Sequence, residues 1–254
     1  MNLRSLPRHL VQNLKNLRLI DGRNLYALWE AEHLRRLLSF YAVDCVFDVG
    51  ANNGQYGEML RRDAKFNGLI ISFEPNPDAA AEARRRASGD SKWVIEESAL
   101  SSANGVQSFN VMREPQFSSL SSPLKSGNLA IFAEKNVIER SIRVNTETLT
   151  SAYARLQLKH AFSRPFLKMD TQGFDVTIVR HAGPALQSFI GLQSELAVRR
   201  LYSDSVDFRE ALSLYESLGF ELSAFVPNNE GHFPHLFEID CIMIRRDFAG
   251  RPQI

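Results

Sequence analysis

Three acidic residues, Asp48, Glu74 and Asp170, lie near the ends of short apolar runs of the sequence. Such runs are typical of strands that are buried on both faces of a sheet. Ligands of open α/β sheets bind beyond the carboxyl ends of the strands, so we expect the three acids to face one crevice. A carboxylate there can accept hydrogen bonds from the hydroxyl groups of a ribose or take up a proton from a reacting group.

The first apolar run leads into a turn that contains Gly50, Gly54 and Gly57. Glycine lets the backbone approach a ligand closely, and a helix after the turn presents unpaired N–H groups. The spacing differs from the Gly-x-Gly-x-x-Gly pattern of dinucleotide folds, because Asn52 would crowd a pyrophosphate, which disfavours a nicotinamide-dependent oxidoreductase. With Glu74 available for a ribose, the turn predicts a nucleoside ligand without a pyrophosphate, for which S-adenosylmethionine is the common candidate.

Candidate groups for proton transfer, which are the catalytic candidates, are Asp170, Glu195, His232 and His235. A histidine suits this task at its ordinary pKa, and a carboxylate suits it if the pocket raises its pKa. The two histidines could instead bind a divalent metal such as Mg²⁺ with Asp170 or Glu195, or they could be ordinary surface residues of a polar loop.

Several motifs of this chain, taken in order, resemble the FkbM family of S-adenosylmethionine-dependent methyltransferases. They are Asp-Val-Gly-Ala-Asn-Asn-Gly from Asp48, Phe-Glu-Pro-Asn-Pro from Phe73, and the stretches 98–101, 118–120, 167–175, 191–196 and 239–245. The resemblance covers roughly residues 40–246. It implies an α/β, Rossmann-like class I methyltransferase fold, in which a mostly parallel seven-stranded sheet has an antiparallel last strand and helices on both faces.

The resemblance also implies a function and a site. The function is S-adenosylmethionine-dependent methylation of a hydroxyl of a sugar, glycolipid or related natural product. N-methylation of a small molecule and a non-catalytic S-adenosylmethionine-binding relative are the alternatives. The expected cofactor-binding residues are Asp48, Gly50, Asn52, Asn53, Gly54, Tyr56, Glu74, Pro75, Asn76, Ser98, Ala99, Asp170 and Gln172.

Three of the polar residues in these motifs have further interpretations. The family more commonly has an acid where Gln172 stands, and Gln172 can still donate and accept hydrogen bonds. Asp175 falls in the first turn of a predicted helix, where a negative charge is favoured, so a structural role is expected. Asp240 either orients an acceptor hydroxyl or caps a loop.

Three segments outside the predicted strands define the domain organisation. Residues 1–40 are predicted to form a helical extension, and its first 20 residues are basic and amphipathic. We expect residues 1–20 to pack on the domain or on a second subunit, as in a homodimer. The alternative is contact with an anionic membrane. Residues 41–246 form the methyltransferase domain and residues 247–254 a tail. Within the domain, 112–140 is expected to be a lid or acceptor-binding loop, the alternative being a disordered excursion.

Composition limits the remaining choices. The chain has 254 residues, of which 44% are apolar, and its net charge of +1 gives no reason to expect a nucleic-acid partner. Cys45 and Cys241 fall in predicted strands and are expected to be buried thiols. No apolar run is long enough to span a membrane and no signal-peptide core is present, so we expect a cytoplasmic enzyme with a small-molecule or glycan acceptor.

Overall fold

A computed structural model describes residues 25–124, 137–228 and 234–247. Its strands are β1 (Cys45–Val49), β2 (Leu69–Phe73), β3 (Trp93–Glu96), β4 (Ala99–Leu100), β5 (Gly105–Met112), β6 (Ile138–Glu147), β7 (Pro165–Met169), β8 (Gly191–Ala197), β9 (Phe220–Asn228) and β10 (Glu238–Arg245). The main sheet has seven strands in the order β3-β2-β1-β7-β8-β10-β9. Strands β1, β2, β3, β7 and β8 are parallel, and β10 is antiparallel to both of its neighbours. The expected sheet, with its antiparallel last strand, is confirmed.

Helices cover both faces of this sheet. They are α1 (Leu25–Phe40), α2 (Gln55–Arg62), α3 (Pro77–Ala87), α4 (Leu149–His160), α5 (Asp175–Arg180) and α6 (Phe208–Ser217). Because successive strand residues point to opposite faces, β1 contributes Val46 to a core shared with α1 and α2, and Phe47 to a core shared with α4, α5 and α6. None of the helices in the described ranges is both long and apolar enough to cross a membrane.

The N-terminal part of the described chain packs on the domain. Leu34, Leu37, Leu38 and Tyr41 are buried, whereas Trp29 is 48% exposed and stacks on His33. Trp29 lies two residues from buried Ala31, which places its side chain on the opposite side of α1. Most of the predicted extension and tail lies outside the described residues, so the domain boundaries stay predictions.

Buried thiols are confirmed: Cys45 and Cys241 are both buried and free. They lie in β1 and β10, two strands of the main sheet.

A second sheet of three strands lies beside the first, in the order β4-β6-β5. Strands β5 and β6 form an antiparallel pair, and the two-residue strand β4 runs parallel to β6. After β5 the chain makes a short 3-10 helix, Pro115–Phe117, and then returns, because Ser119 and Asn110 exchange backbone hydrogen bonds of 2.9 and 3.1 Å. The part of the 112–140 segment that is described therefore packs against β5; residues 125–136 lie outside the described ranges.

Two glycines of the turn after β1 make room for Trp93. A Cβ at Gly57 would overlap the indole ring of Trp93, and one at Gly54 would lie 3.2 Å from the same ring. These glycines therefore allow α2 to pack against β3. A role of Gly54 in cofactor binding stays a prediction.

We expect Gly57→Ala to destabilise the fold by about 1–3 kcal/mol, because the new methyl group would overpack this contact. The free energy of unfolding in urea measures the change. In a Trp93→Phe background, where the ring is smaller, the same substitution should cost less. Equal costs in the two backgrounds would contradict the contact as the cause.

Candidate functional site

A cavity of about 510 Å³ opens at the carboxyl ends of β1, β2, β7 and β8, a size typical of small-molecule sites. Many of the residues predicted from the sequence line it: Gly50, Asn52, Glu74, Pro75, Ala99, Asp170, Gln172 and Glu195. Asp48 lies within β1 and is fully buried. The structure therefore places the acids that end β2, β7 and β8 around one space.

The turn after β1 folds over the end of β2. The N–H groups of Gly50 and Ala51 donate to the carbonyl oxygen of Phe73 at 3.1 and 3.0 Å. Gly50 has φ +76°, and a Cβ there would overlap the carbonyl oxygen of Asp170. The contact between the ends of β1 and β7 thus requires a glycine at this position.

The carboxylate of Glu74 holds the adjoining loops. One of its oxygens accepts a 2.8 Å hydrogen bond from the N–H of Asn52, and the other accepts one of 2.8 Å from the N–H of Asn76. Burial raises the pKa of Glu74 to about 7, although both hydrogen bonds act in the opposite direction. Each carboxylate oxygen can accept a second hydrogen bond, so Glu74 can bind a ligand while it shapes the loop.

Beneath the cavity, Lys168 and Asp48 form a buried ion pair. Lys168 Nζ lies 3.1 Å from Asp48 Oδ1 and 3.9 Å from Asp170 Oδ2, and it donates a 3.4 Å hydrogen bond to the carbonyl oxygen of Gly50. Burial alone would lower the pKa of Lys168, but the charges of Asp48 and Asp170 outweigh burial and raise it above its usual value. The ammonium of Lys168 therefore stays charged inside the protein.

A row of polar side chains extends this pair across the sheet. On one side Ser72 donates to Asp48 at 2.8 Å and accepts from the Trp93 indole N–H at 3.0 Å. On the other side, Tyr56 packs its ring 4.9 Å from Lys168 Nζ and donates to Gln193 at 2.9 Å.

The side-chain amide of Gln193 continues the row at its far end. It donates to Glu30 of α1 at 2.7 Å and to Asp240 of β10 at 3.3 Å. The row thus joins β1, β2, β7 and β8 to two of the helices that cover them.

Gln172 bridges the two carboxylates at the ends of β7 and β8. Its amide nitrogen donates 2.9 Å hydrogen bonds to both Asp170 and Glu195, and its amide oxygen accepts from the Tyr202 hydroxyl at 2.9 Å. Burial raises the pKa of Glu195 well above its usual value. The bridge holds two acids side by side with a neutral group between them.

Asp175 has the contacts of a structural residue. It is buried and accepts hydrogen bonds from Thr171, from the hydroxyl of Ser194 at 2.9 Å and from the N–H of Glu195 at 3.1 Å. These contacts tie the turn after β7 to β8 and so fix the position of Glu195.

Other predicted residues lie away from the cavity wall. Asn76 caps α3 by accepting a hydrogen bond from the N–H of Asp78. Asn53, Gly54, Tyr56 and Ser98 are not among the residues that line the cavity.

His235 is exposed, with its ring against Phe237, and His232 lies outside the described residues. Among the described residues, no group of three or more His, Cys, Asp and Glu side chains could hold a metal ion, so the proposed Asp170, Glu195 and His235 set is not brought together there.

The opposite wall of the cavity includes part of the 112–140 segment, which is predicted to form a lid or acceptor-binding loop. That wall includes Phe109 of β5 and the returning segment with Gln116, Phe117 and Leu120. The hydroxyl of Ser119 anchors the segment by donating to the carbonyl oxygens of Thr171 and Gln172, at 3.0 Å each.

Glu238, the first residue of β10, also lines the cavity and was not predicted. Glu238 lies two residues before Asp240, and residues at that spacing share one face of a strand. This spacing is the sequence signal that could have placed Glu238 near the predicted site.

Comparison with known proteins identifies the family. A model of the methyltransferase FkbM domain matches residues 48–222, more than half of the chain. No curated protein matches the chain.

The chain is also similar to several solved structures, including the following three. An O-methyltransferase from Bacillus cereus in complex with SAH is 11% identical, with a TM-score of 0.46, over 93% of this chain and 88% of that one. Magnesium protoporphyrin IX methyltransferase from Synechocystis PCC 6803 with bound SAM is 8% identical, with a TM-score of 0.45, over 96% and 100%. Methyltransferase FkbM from Methylobacillus flagellatus KT is 13% identical, with a TM-score of 0.46, over 91% and 57%.

The strand order, the antiparallel β10 and the cavity at the strand ends define a class I S-adenosylmethionine-dependent methyltransferase. Within that class, the chain belongs to the FkbM methyltransferase family. Because the TM-scores are all below 0.5, the assignment depends on the family model and on the strand order.

We expect Lys168→Met to destabilise the protein by about 3–5 kcal/mol, because it leaves Asp48 buried without a counter-ion. Chemical unfolding measures the loss. The exposed Lys159→Met is the matched control and should change stability by less than about 0.5 kcal/mol. The double variant Lys168→Met/Asp48→Asn should recover much of the loss; no recovery would contradict the pair as its cause.

Proposed function

We propose that this protein transfers a methyl group from S-adenosylmethionine to a hydroxyl of a sugar, glycolipid or related natural product. The observation that supports the proposal best is the cavity that joins Glu74, suited to a ribose, to the paired acids Asp170 and Glu195. The bound cofactor would supply an electrophilic methyl group; the chain must place an acceptor oxygen beside it, exclude water and take up a proton.

The residues at the β1 and β2 end fit the cofactor. Asn52 lines the cavity, and its Oδ1 is buried without a hydrogen-bond partner among the described residues; a polar atom in that condition favours a ligand that supplies one. In the proposed arrangement Glu74 binds the ribose hydroxyls, while Ala99 and Leu100 pack on the adenine. Gly50 and Asn52 form the floor of the cofactor site.

Asp170 and Glu195 are the proposed bases for the acceptor hydroxyl. Both line the cavity, and the raised pKa of Glu195 makes it a stronger base than an exposed glutamate. His235 is a weaker candidate, because it does not line the cavity. N-methylation remains the alternative, since a carboxylate can orient an amine in the same place; a non-catalytic relative is disfavoured by the paired acids.

Several features stay predictions: a cytoplasmic location, a homodimer, the absence of a nucleic-acid partner, and membrane contact through residues 1–20. The divalent metal also stays a prediction, and the bridge made by Gln172 argues against a cation shared by Asp170 and Glu195.

Calorimetric titration of S-adenosylmethionine and S-adenosylhomocysteine tests the cofactor site. We expect micromolar binding that Glu74→Ala weakens at least tenfold, because the variant loses the hydrogen bonds to the ribose and the support of the loop. Glu97→Ala, an exposed acid outside the cavity lining, should bind like the wild type. A well-folded protein that binds neither ligand would overturn the proposal.

The same titration should depend on pH. Because burial raises the pKa of Glu74 to about 7, the carboxylate that accepts the ribose hydrogen bonds is depleted below pH 7, and the affinity should fall as the pH is lowered from about 8 to 6. Glu74→Gln should bind more weakly than the wild type at pH 8 and show a flatter pH profile. An equally steep profile in Glu74→Gln would assign the pH dependence to another group.

Single replacements test the base. We expect Asp170→Asn or Glu195→Gln to lower methyl transfer by about 10²-fold or more while S-adenosylmethionine still binds. The assay follows labelled methyl transfer to a panel of acceptors, sugars first, with and without Mg²⁺. An unchanged rate in either variant removes that residue as the base.

A further inference from the structure

The ionisable side chains of the cavity wall are all of one kind. Of the lining residues within the described ranges, Glu74, Asp170, Glu195 and Glu238 are acidic, and none is lysine, arginine or histidine. Lys168 lies nearby, but its closest ion-pair partner is Asp48, at 3.1 Å compared with 3.9 Å for Asp170. A cation that enters the cavity favours the ionised form of these acids, whereas an anion is repelled by it.

The acids are divided between the two ends of the cavity. Glu74 follows β2, whereas Glu195 lies in β8, three strands further along the sheet. At the usual separation of neighbouring strands the two positions are about 14 Å apart, and Glu238 in β10 is one strand further still. If Glu74 holds the ribose, as proposed above, Glu195 and Glu238 are left for the acceptor.

Two observations at the acceptor end point to a positively charged ligand. Glu238 lines the cavity, and no hydrogen bond or ion pair joins its carboxylate to another side chain of the described residues. Burial raises the pKa values of both Glu195 and Glu238, and the charge of Glu238 raises that of Glu195 further. A cation between them would relieve this repulsion.

Aromatic rings complete the same end. Phe117 lines the cavity and packs against the cluster that contains Phe237, the residue before Glu238. Phe174, which also lines the cavity, is two residues from Gln172, the bridge between the acids at the ends of β7 and β8. Aromatic faces attract ammonium groups, and a combination of aromatic rings and carboxylates is well suited to binding an organic cation.

We propose that the acceptor carries a protonated amine, as an amino sugar does, and that Glu238 and Glu195 bind this amine while Asp170 takes up the proton of a neighbouring hydroxyl that is methylated. The inference rests on the proposed function. Phosphorylated or carboxylated acceptors would be excluded by the same charges.

The test uses two probes of similar shape, benzylamine and benzyl alcohol, added to the full-length protein saturated with S-adenosylhomocysteine. Ligand-observed NMR titration measures their affinities at pH 7.5, where benzylamine is protonated. We expect benzylamine to bind at least tenfold more tightly than benzyl alcohol. Glu238→Gln should reduce this preference severalfold, whereas Glu210→Gln, which removes an exposed acid of α6, should leave it unchanged.

The outcomes are distinguishable. Absence of S-adenosylhomocysteine binding would overturn the proposed function and this inference with it. If S-adenosylhomocysteine binds but the two probes bind equally, or neither binds, the inference alone is overturned. It is also overturned if Glu238→Gln, with S-adenosylhomocysteine affinity intact as evidence of folding, keeps the full preference for benzylamine.

Discussion

The ion pair between Lys168 and Asp48 is the interaction on which the centre of this protein depends. Two opposite charges lie in neighbouring parallel strands at directly paired positions, and both side chains are buried, so loss of either partner leaves the other charge uncompensated. The pair therefore favours one register of β1 against β7. Its hydrogen bond to Gly50 extends that control to the turn at the floor of the cavity.

Two sets of elements build the cavity in different ways. At the proposed cofactor end, backbone N–H groups and Glu74 hold the turn after β1, so the geometry follows from the main chain. At the proposed acceptor end, side chains make the contacts, since Gln172 joins Asp170 and Glu195 and is itself oriented by Tyr202. The shape of the first end therefore depends on the main chain, and the shape of the second depends on side chains that a substitution can replace.

The sequence predicted the buried strands and their acids well, because continuous apolar runs that end at a turn have few other interpretations. It did not predict why Gly54 and Gly57 are glycines, since only the folded chain brings Trp93 across them. It also missed β4, whose two residues carry no periodicity, and Glu238, which reaches the cavity through pairing of distant strands. Gln172 was identified as a hydrogen-bonding residue, but its partners depend on tertiary structure.

The anchoring of the returning segment has a consequence for how relatives of this enzyme diversify. Ser119 and its backbone partner Asn110 hold the segment in place, and neither belongs to the cavity wall. The neighbouring Gln116, Phe117 and Leu120 do belong to it. Substitutions of these wall side chains can therefore reshape the cavity while the contacts that anchor the segment stay in place, which separates variation of the wall from maintenance of the fold.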